Sequence, residues 1–251
     1  MRNAGLRAHL SGFFRAFLIQ GSWNYRTMVG GGFAFAMLPA LRRLYRGDPQ
    51  GFQQALRRHS DHFNAHPYLT GLALGAVTRM EEEGRDAEEV RRFKVAVRGA
   101  LGGLGDALVW VGWRPAIVLG ALVLAMVGAS PGVTVAFFLI FYNLGHFTLR
   151  IWGYRAGLDK GSDVGDSLRA LGLPRLADRL ASVGVFLLGG AVGLALHTGW
   201  TMGGWGVFLL WVTGCVWGFW IGSLMGQRSW KWTFWGVSAA IGVILTLGWI
   251  G

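Results

Sequence analysis

The chain has 251 residues, of which 53% are hydrophobic and only 15% are charged, whereas a soluble domain carries about 25% charged residues. No Lys, Arg, Asp or Glu occurs from Pro115 to Leu149 or from Ala181 to Gln227, and each of these runs exceeds the roughly 20 residues that cross a bilayer as a helix. The composition excludes an ordinary soluble domain and predicts an all-α integral membrane protein.

The net charge of +11 does not indicate a nucleic-acid partner. Membrane proteins keep Lys and Arg in their cytoplasmic loops, and contact with anionic lipids is a secondary interpretation of the same charge. No DNA- or RNA-binding pattern accompanies it. The single Cys215 lies in an apolar run, so neither a disulfide framework nor a thiolate metal site is expected. Residues 1–20 show no cleavable signal peptide.

The first half of the chain, residues 1–115, contains apolar pieces that are too short for straight membrane spans. They cover residues 29–41, 68–78 and 99–113, and the last contains Asp106. Pieces of roughly 10 to 15 residues suit re-entrant or broken helices. Irregular backbone persists at membrane depth only where protein or a water-filled cavity covers it. We therefore expect residues 1–115 to form a solute site.

The charged stretch 79–98 separates two of these apolar pieces. Its sequence, "RMEEEGRDAEEVRRFKVAVR", predicts a solvated helix or helical hairpin on the cytoplasmic side. The "EEE" run within it is most simply explained as a face exposed to water.

The second half, residues 116–251, predicts a scaffold of about five transmembrane helices. The expected spans are 115–129, 133–149, 181–198, 205–226 and 233–250. The "SPG" sequence at 130–132 predicts a turn between the first two. By the positive-inside rule the basic connections at 150–180 and 227–232 face the cytoplasm. This orientation predicts a multi-pass protein of the bacterial inner membrane with an external C-terminus.

Three segments bring polar side chains next to apolar ones: "IQGSWNY" (19–25), "HFNAHP" (62–67) and "GLGDALVW" (103–110). Amide and carboxylate groups can pair with adjacent sugar hydroxyls, and a Trp face suits the C–H side of a pyranose ring. An ionisable group at membrane depth also indicates a functional site. The candidate substrate-binding residues are Gln20, Asn24, Asn64, His66, Asp106 and Trp110.

Each candidate also has a structural interpretation that stays open at this point. Asn24 and Asn64 suit helix caps or turns. Asp106 suits an N-cap that pairs with Arg114 or Arg98, and Gln20 suits a helix break.

The spacing of His59, His62 and His66 invites a metal interpretation. It is not favoured, because Pro67 disfavours a helical conformation at His66 and no carboxylate completes a ligand set. No metal and no cofactor are therefore expected.

Four ordered motifs carry a resemblance to a known family. They are "FLIQGSWNYRTM", "GFAFAMLPALRRLY", "RRHSDHFNAHPY" and "FKVAVRGALGGLGDALVWVGWRP". In order and spacing they resemble the IID component of mannose/fructose/sorbose-type bacterial phosphotransferase systems. The resemblance covers residues 15–115 closely, and mainly hydropathy is shared beyond that. The chain departs from the family pattern at Arg26, Ala65 and Val109.

The resemblance implies a sugar permease subunit. A IID component pairs with a IIC membrane subunit, related to it by inverted topology, and higher oligomers of IIC–IID pairs are expected. The soluble IIA and IIB components carry phosphate on histidines, and IIB phosphorylates a hexose-type sugar as it emerges. No catalytic residue and no phosphoryl-carrying histidine are therefore expected in this chain.

Two alternatives remain open. One is a sugar facilitator or sensor without phosphoryl coupling, which the departures at Arg26 and Ala65 motivate. The other is an assembly scaffold for a partner permease.

Overall fold

The computed structural model describes residues 2–195 and residue 198. This part of the chain is helical and contains no strand, only isolated β-bridges. The prediction of an all-helical membrane protein is thereby confirmed in its coarse form. The chain divides into two compact units, one of residues 1–121 and 130–186, the other of 122–129 and 187–251. The expected division at 115/116 concerns roles and stays a prediction.

The helices follow one another with short connections. They are α1 (Arg2–Arg15), α2 (Gly30–Leu44), α3 (Pro49–Ser60), α4 (Thr70–Glu82), α5 (Ala87–Gly105), a π-helical segment (Asp106–Trp113), α6 (Arg114–Met126), α7 (Pro131–Lys160) and α8 (Val164–Ala170). Short 3₁₀ turns follow α1 at Ala16–Leu18 and α7 at Gly161–Asp163. Residues 173–195 are again helical.

Side-chain caps explain where three of these helices begin. The Asp48 carboxylate accepts a hydrogen bond from the Gly51 N–H at the start of α3, and Asp86 accepts from two N–H groups at the start of α5. Ser130 caps α7, and Pro131 occupies its first turn. An oxygen at the cap satisfies a helix N–H that has no partner within the helix, and Pro suits the first turn because it has no N–H to satisfy. A break between two helices is therefore present as predicted, but it covers residues 127–130, and residues 131 and 132 of the predicted turn already belong to α7.

Glycines let α4 and α7 pack with their backbones almost in contact. A Cβ added at Gly75 would lie 2.3 Å from the Tyr154 carbonyl oxygen, and one at Gly157 would lie 2.2 Å from the Leu72 carbonyl oxygen. Gly71 and Gly153 approach the opposite helix in the same way. Pairs of small residues four apart are the usual means by which membrane helices come this close. All of α4 is consequently buried, apart from Arg79 and Glu82.

Three helical stretches of the described residues are long and apolar enough to cross a membrane. They are Ala87–Met126, Pro131–Asp166 and Leu168–Ala195. The first joins α5, the π-helical segment and α6, whereas the sequence predicts separate apolar pieces at 99–113 and 115–129. The helix continues through Pro115, which lies two residues after the π-helical segment Asp106–Trp113. The predicted spans 205–226 and 233–250 lie outside the described residues.

Two expectations about charged residues are wrong. The basic connection predicted to begin at residue 150 is helical through Lys160, and Arg150 is buried in α7 rather than part of a loop. The "EEE" run is not a uniformly wet face, because the first of its residues, Glu81, is only 7% exposed. Side chains of α3 satisfy Glu81, and the Ala16 carbonyl together with His146 of the same helix satisfies Arg150. The partners that are distant in sequence cannot be read from local sequence.

The glycine contact predicts a clear difference between two Gly→Ala substitutions. Gly157→Ala should lower the unfolding temperature in detergent, because forcing apart a tightly packed contact costs about 1–3 kcal/mol. Gly99→Ala is the matched control, since an added Cβ there meets no atom within 4 Å. It should leave stability unchanged or raise it by up to about 1 kcal/mol through helix propensity. Equal unfolding temperatures for the two variants would contradict the packing described.

Candidate functional site

Two of the polar motifs lie side by side because their backbones pair. The Val29 N–H donates to the Phe63 carbonyl (3.1 Å), and the Phe63 N–H donates to the Thr27 carbonyl (3.2 Å). The Phe63 ring is fully buried against Phe33, with 4.8 Å between ring centroids. Residues 19–29 and 61–67, called the first and second motif loops below, are thus held together.

Asn24 shapes the first motif loop. Its side-chain oxygen accepts hydrogen bonds from the backbone N–H groups of Arg26 (3.0 Å) and Thr27 (2.9 Å). Its amide N–H groups donate to the Ser22 carbonyl (3.1 Å) and the Thr27 hydroxyl (2.8 Å). Because both polar atoms are engaged within the loop, the structure gives Asn24 the turn role, which is one of its two interpretations from sequence.

His66 lies at the centre of the second motif loop and is 2% exposed. Its Nδ1 accepts a hydrogen bond from the Tyr68 N–H (3.2 Å), so the neutral ring carries its proton on Nε2. Nε2 is buried and makes no hydrogen bond to any residue between 2 and 195 or to residue 198. The edge of Trp110 covers the ring at a centroid distance of 5.4 Å. His66 therefore offers one N–H that no described residue uses.

Glycines of α5 explain how the second motif loop reaches this position. A Cβ added at Gly105 would lie 2.1 Å from the Cβ of His66, and one at Gly102 would lie 3.8 Å from the Asn64 carbonyl oxygen. The loop therefore rests on a side-chain-free face of α5. The glycines of "GALGGLGD" were the sequence signal for this contact, but only Asp106 was singled out from the sequence.

The remaining candidates are exposed. Gln20, Asn64 and Asp106 make no side-chain hydrogen bond to another residue of the described chain, and Trp110 is 40% exposed. Asp106 directly follows Gly105 and begins the π-helical segment, a feature frequent at functional sites. It pairs with neither of its suggested partners, since Arg98 donates to His62 and Arg114 lies over the Trp110 ring.

The structure thus groups the candidates in two places. Asn64, His66, Asp106 and Trp110 surround the junction of α5 with the π-helical segment. Gln20 and Asn24 belong to the first motif loop, which the paired backbone joins to the second.

A buried ionic cluster, which the sequence analysis missed, holds the helix that leads into the second motif loop. Glu81 of α4 accepts hydrogen bonds from Arg58 (2.7 Å) and His59 (2.9 Å) of α3. The Tyr45 hydroxyl also donates to Glu81 (2.8 Å), and Lys94 of α5 donates to the Arg58 carbonyl (2.8 Å). Removing one member of such a buried pair typically costs about 3–5 kcal/mol. The cluster therefore joins three helices directly before the loop begins.

Burial and hydrogen bonding shift two pKa values in this cluster. Burial is the larger influence on His59 and lowers its pKa from 6.5 to about 4, although Glu81 opposes the change. Burial also opposes ionisation of Glu81, but hydrogen bonds from His59 and Arg58 outweigh it and bring the pKa of Glu81 to about 2. At neutral pH the cluster therefore contains an ionised Glu81 and a neutral His59 that donates from Nε2.

The three histidines considered for metal binding point to different partners. His59 contacts Glu81, Nδ1 of His62 accepts from Arg98 (3.0 Å), and His66 lies beneath Trp110. No group of three His, Cys, Asp or Glu side chains suited to a metal ion occurs in residues 2–195.

Comparison with known proteins identifies the family. The model of the mannose/fructose/sorbose family IID component of phosphotransferase systems matches residues 7–202. The chain belongs to the IID family. The resemblance of the four motifs is thereby confirmed.

Curated IID relatives show the same relationship. The mannose-specific EIID component of Escherichia coli K12 is 33% identical over 190 residues, which are 74% of this chain and 66% of that protein. The sorbose-specific EIID component of Klebsiella pneumoniae is 34% identical over 204 residues, 76% of this chain and 69% of that protein. The chain thus spans 66% of the length of the Escherichia coli relative.

Two solved structures resemble this chain in fold. A structure described as a membrane protein matches with a TM-score of 0.66 and 32% identity, over 74% of this chain and 69% of that one. A chain of the mannose transporter ManYZ in complex with microcin E492 matches with a TM-score of 0.59 and 26% identity. That match covers 97% of this chain and 96% of that one.

The ionic cluster predicts a specific response to acid. Between pH 6.5 and pH 4 the unfolded chain protonates His59 while the folded protein does not, so the free energy of unfolding should decrease as the pH falls through this window. Glu81 should add a further decrease between pH 4.5 and about pH 2. Thermal unfolding in detergent across the pH range measures both effects.

Matched variants isolate the contribution of His59. His59→Gln should flatten the decrease between pH 6.5 and pH 4, whereas Gln53→Ala, at an exposed position of the same helix, should keep the wild-type slope. Parallel curves for the wild type and His59→Gln would show that His59 does not titrate as described.

Proposed function

We propose that this chain is a permease subunit that works with a IIC membrane subunit to move a hexose-type sugar across the bacterial inner membrane. In this proposal the soluble IIB component phosphorylates the sugar, and IIA supplies IIB. Membership of the IID family supports the proposal, as does the similarity to a chain of the ManYZ mannose transporter. About five transmembrane helices in the second half, higher oligomers of IIC–IID pairs and an external C-terminus belong to the same proposal.

The observation that carries the sugar site is the convergence of Asn64, His66 and Trp110 on one junction of the fold. Trp110 supplies a half-covered aromatic face, Asn64 an exposed amide, and His66 a buried N–H without a described partner. An aromatic face with a few convergent polar groups is the usual form of a small-molecule site. Movement of Trp110 would open the Nε2 atom of His66 to a sugar hydroxyl, and Asp106 and Gln20 are the next candidates to contact the substrate.

The proposed role is to position sugar rather than to carry phosphate. His62 is exposed, pairs with Arg98 through Nδ1 only, and is tested below. The other described histidines are engaged or covered: His9 pairs with Glu82, His59 with Glu81, His146 with Arg150, and His66 lies under Trp110. A phosphoryl carrier must instead present a free ring nitrogen to a soluble donor, with other groups around the phosphate. Holding the sugar in place for a partner's phosphohistidine supplies proximity.

The sugar site is tested first with Asn64→Ala, produced together with the IIC partner in cells that lack other mannose-type systems. Loss of a hydrogen bond to substrate should weaken sugar binding by about 1–3 kcal/mol, a rise of about 5- to 150-fold in the concentration for half-maximal uptake. Labelled mannose is the first probe, followed by a panel of hexoses. Gln53→Ala, at an exposed position on α3, is the control and should leave uptake unchanged.

Normal uptake of every accepted sugar by a normally produced Asn64→Ala protein would reject the role of Asn64. Uptake that does not depend on the chain at all would reject the proposed function.

The absence of phosphoryl transfer to this chain is tested separately. The purified chain is incubated with labelled phosphoryl donors, with and without IIB, and acid-labile label on the protein is measured. We expect label on IIB and on released sugar but none on this chain. Label lost in a His62→Gln variant would identify an exposed histidine as a carrier and reverse the prediction.

A further inference from the structure

Arg150 is a buried cation of α7, directly after the uncharged run that ends at Leu149. It lies in α7 within the apolar stretch Pro131–Asp166 and is 6% exposed. It forms no ion pair with a carboxylate of the described residues. A charge at such a position is costly and usually has a function. The sugar site proposed above does not use it.

One side of the guanidinium holds the chain that enters the first motif loop. An Nη1 N–H of Arg150 donates to the Ala16 carbonyl (2.8 Å), and the group lies 4.7 Å from the centre of the Phe17 ring. Ala16 begins the 3₁₀ turn that follows α1 and leads directly to Gln20. The Ala16 carbonyl also accepts the Ile19 N–H within the turn (3.3 Å), and the carbonyls at a helix end carry partial negative charge, so a cation is favourable there.

The other side of Arg150 contacts Tyr68, which directly follows the second motif loop. The Arg150 Nε–H donates to Nε2 of His146 (2.6 Å), and the His146 ring stacks on Tyr68 with 4.3 Å between centroids. The guanidinium itself lies 5.3 Å from the centre of the Tyr68 ring. The Tyr68 N–H holds Nδ1 of His66, as described above. Contacts therefore run from Arg150 through His146 of the same helix and through Tyr68 to His66.

We infer that Arg150 is a positioning residue that fixes the two motif loops relative to each other and thereby sets the affinity for sugar without touching it. The guanidinium suits this role because its planar group donates in two directions at once, which an ammonium group does with less defined geometry. The part of the inference that concerns sugar affinity rests on the proposed function, whereas the connection between the loops does not.

The effect on transport is tested with Arg150→Gln, Arg150→Lys and the control Arg155→Gln, on the exposed surface of the same helix. Arg150→Gln should raise the KM for mannose uptake by about tenfold or more while the maximal rate per folded molecule changes little, because misplaced loops weaken binding. Arg150→Lys keeps the charge and one hydrogen bond and should recover part of the affinity. Arg155→Gln should match the wild type.

A spin label reports the connection between the loops independently of transport. The label is attached to Leu18→Cys in a Cys215→Ser background of the full chain, since Leu18 is exposed and lies in the turn that Arg150 holds. Its mobility should increase in Arg150→Gln, increase less in Arg150→Lys and stay unchanged in Arg155→Gln. A label at Gln53→Cys on α3 should not respond to any of the three.

The two measurements separate the possible failures. If the label at Leu18 becomes more mobile in Arg150→Gln but the wild-type chain moves no sugar, the connection between the loops is supported and the proposed function is rejected. Transport with a normal KM and unchanged mobility in Arg150→Gln would overturn the inference. If Arg150→Gln does not fold, His146→Gln replaces it, because it removes one of the two connections and leaves the Ala16 contact in place. Unchanged mobility and KM in both His146→Gln and Arg150→Lys would then overturn the inference.

Discussion

The close approach of α4 and α7 is the constraint on which the rest of the structure depends. Glycines at 71, 75, 153 and 157 bring the two backbones together, and a side chain at any of them would move one helix away from the other. Because α4 begins two residues after Tyr68, this contact also places the second motif loop against the polar side of α7. The stacking of Tyr68 on His146 and the proximity of Arg150 to Tyr68 follow from the same packing. A function carried by loops therefore depends on a helix pair that contains none of the motif residues.

Buried charges occur at two places in this fold, the Glu81 cluster and Arg150, and they are stabilised in different ways. In the Glu81 cluster, the carboxylate of Glu81 balances the positive charge of Arg58 and accepts hydrogen bonds. The cluster lies where α3, α4 and α5 meet. Arg150 lies among aromatic rings, a neutral histidine and a backbone carbonyl, with no carboxylate beside it among the described residues. Aromatic faces and carbonyl dipoles stabilise a cation less than a carboxylate does, but they avoid burying a second charge. Both arrangements hold the chain at an entrance to a motif loop.

The sequence predicted correctly the features that depend on residues close together in the chain. The apolar runs gave the helical membrane class, "SPG" at 130–132 indicated a break close to the start of α7, and four motifs identified the family. The sequence could not predict that one helix continues from α5 through Pro115 into α6, because a proline in the sequence does not show whether a helix ends before it or continues through it. It also assigned Arg150 to a loop and Glu81 to a wet face, because their partners are separated from them by up to 134 residues. An Arg four residues after a His at the end of an otherwise uncharged run was the signal available for Arg150.

The π-helical segment Asp106–Trp113 changes how the long helix through residues 87–126 must be read. Each residue of an α-helix turns the chain by about 100°, so wider turns here shift the rotational phase of everything that follows. A single helical wheel drawn through α5 and α6 therefore assigns the wrong face to one of them. A family member with one residue fewer in this segment would keep both flanking helices, yet it would present a different side of α6 to its surroundings. Gaps in this short stretch of an alignment consequently report on which surface of the helix each relative uses, even where the flanking motifs are identical.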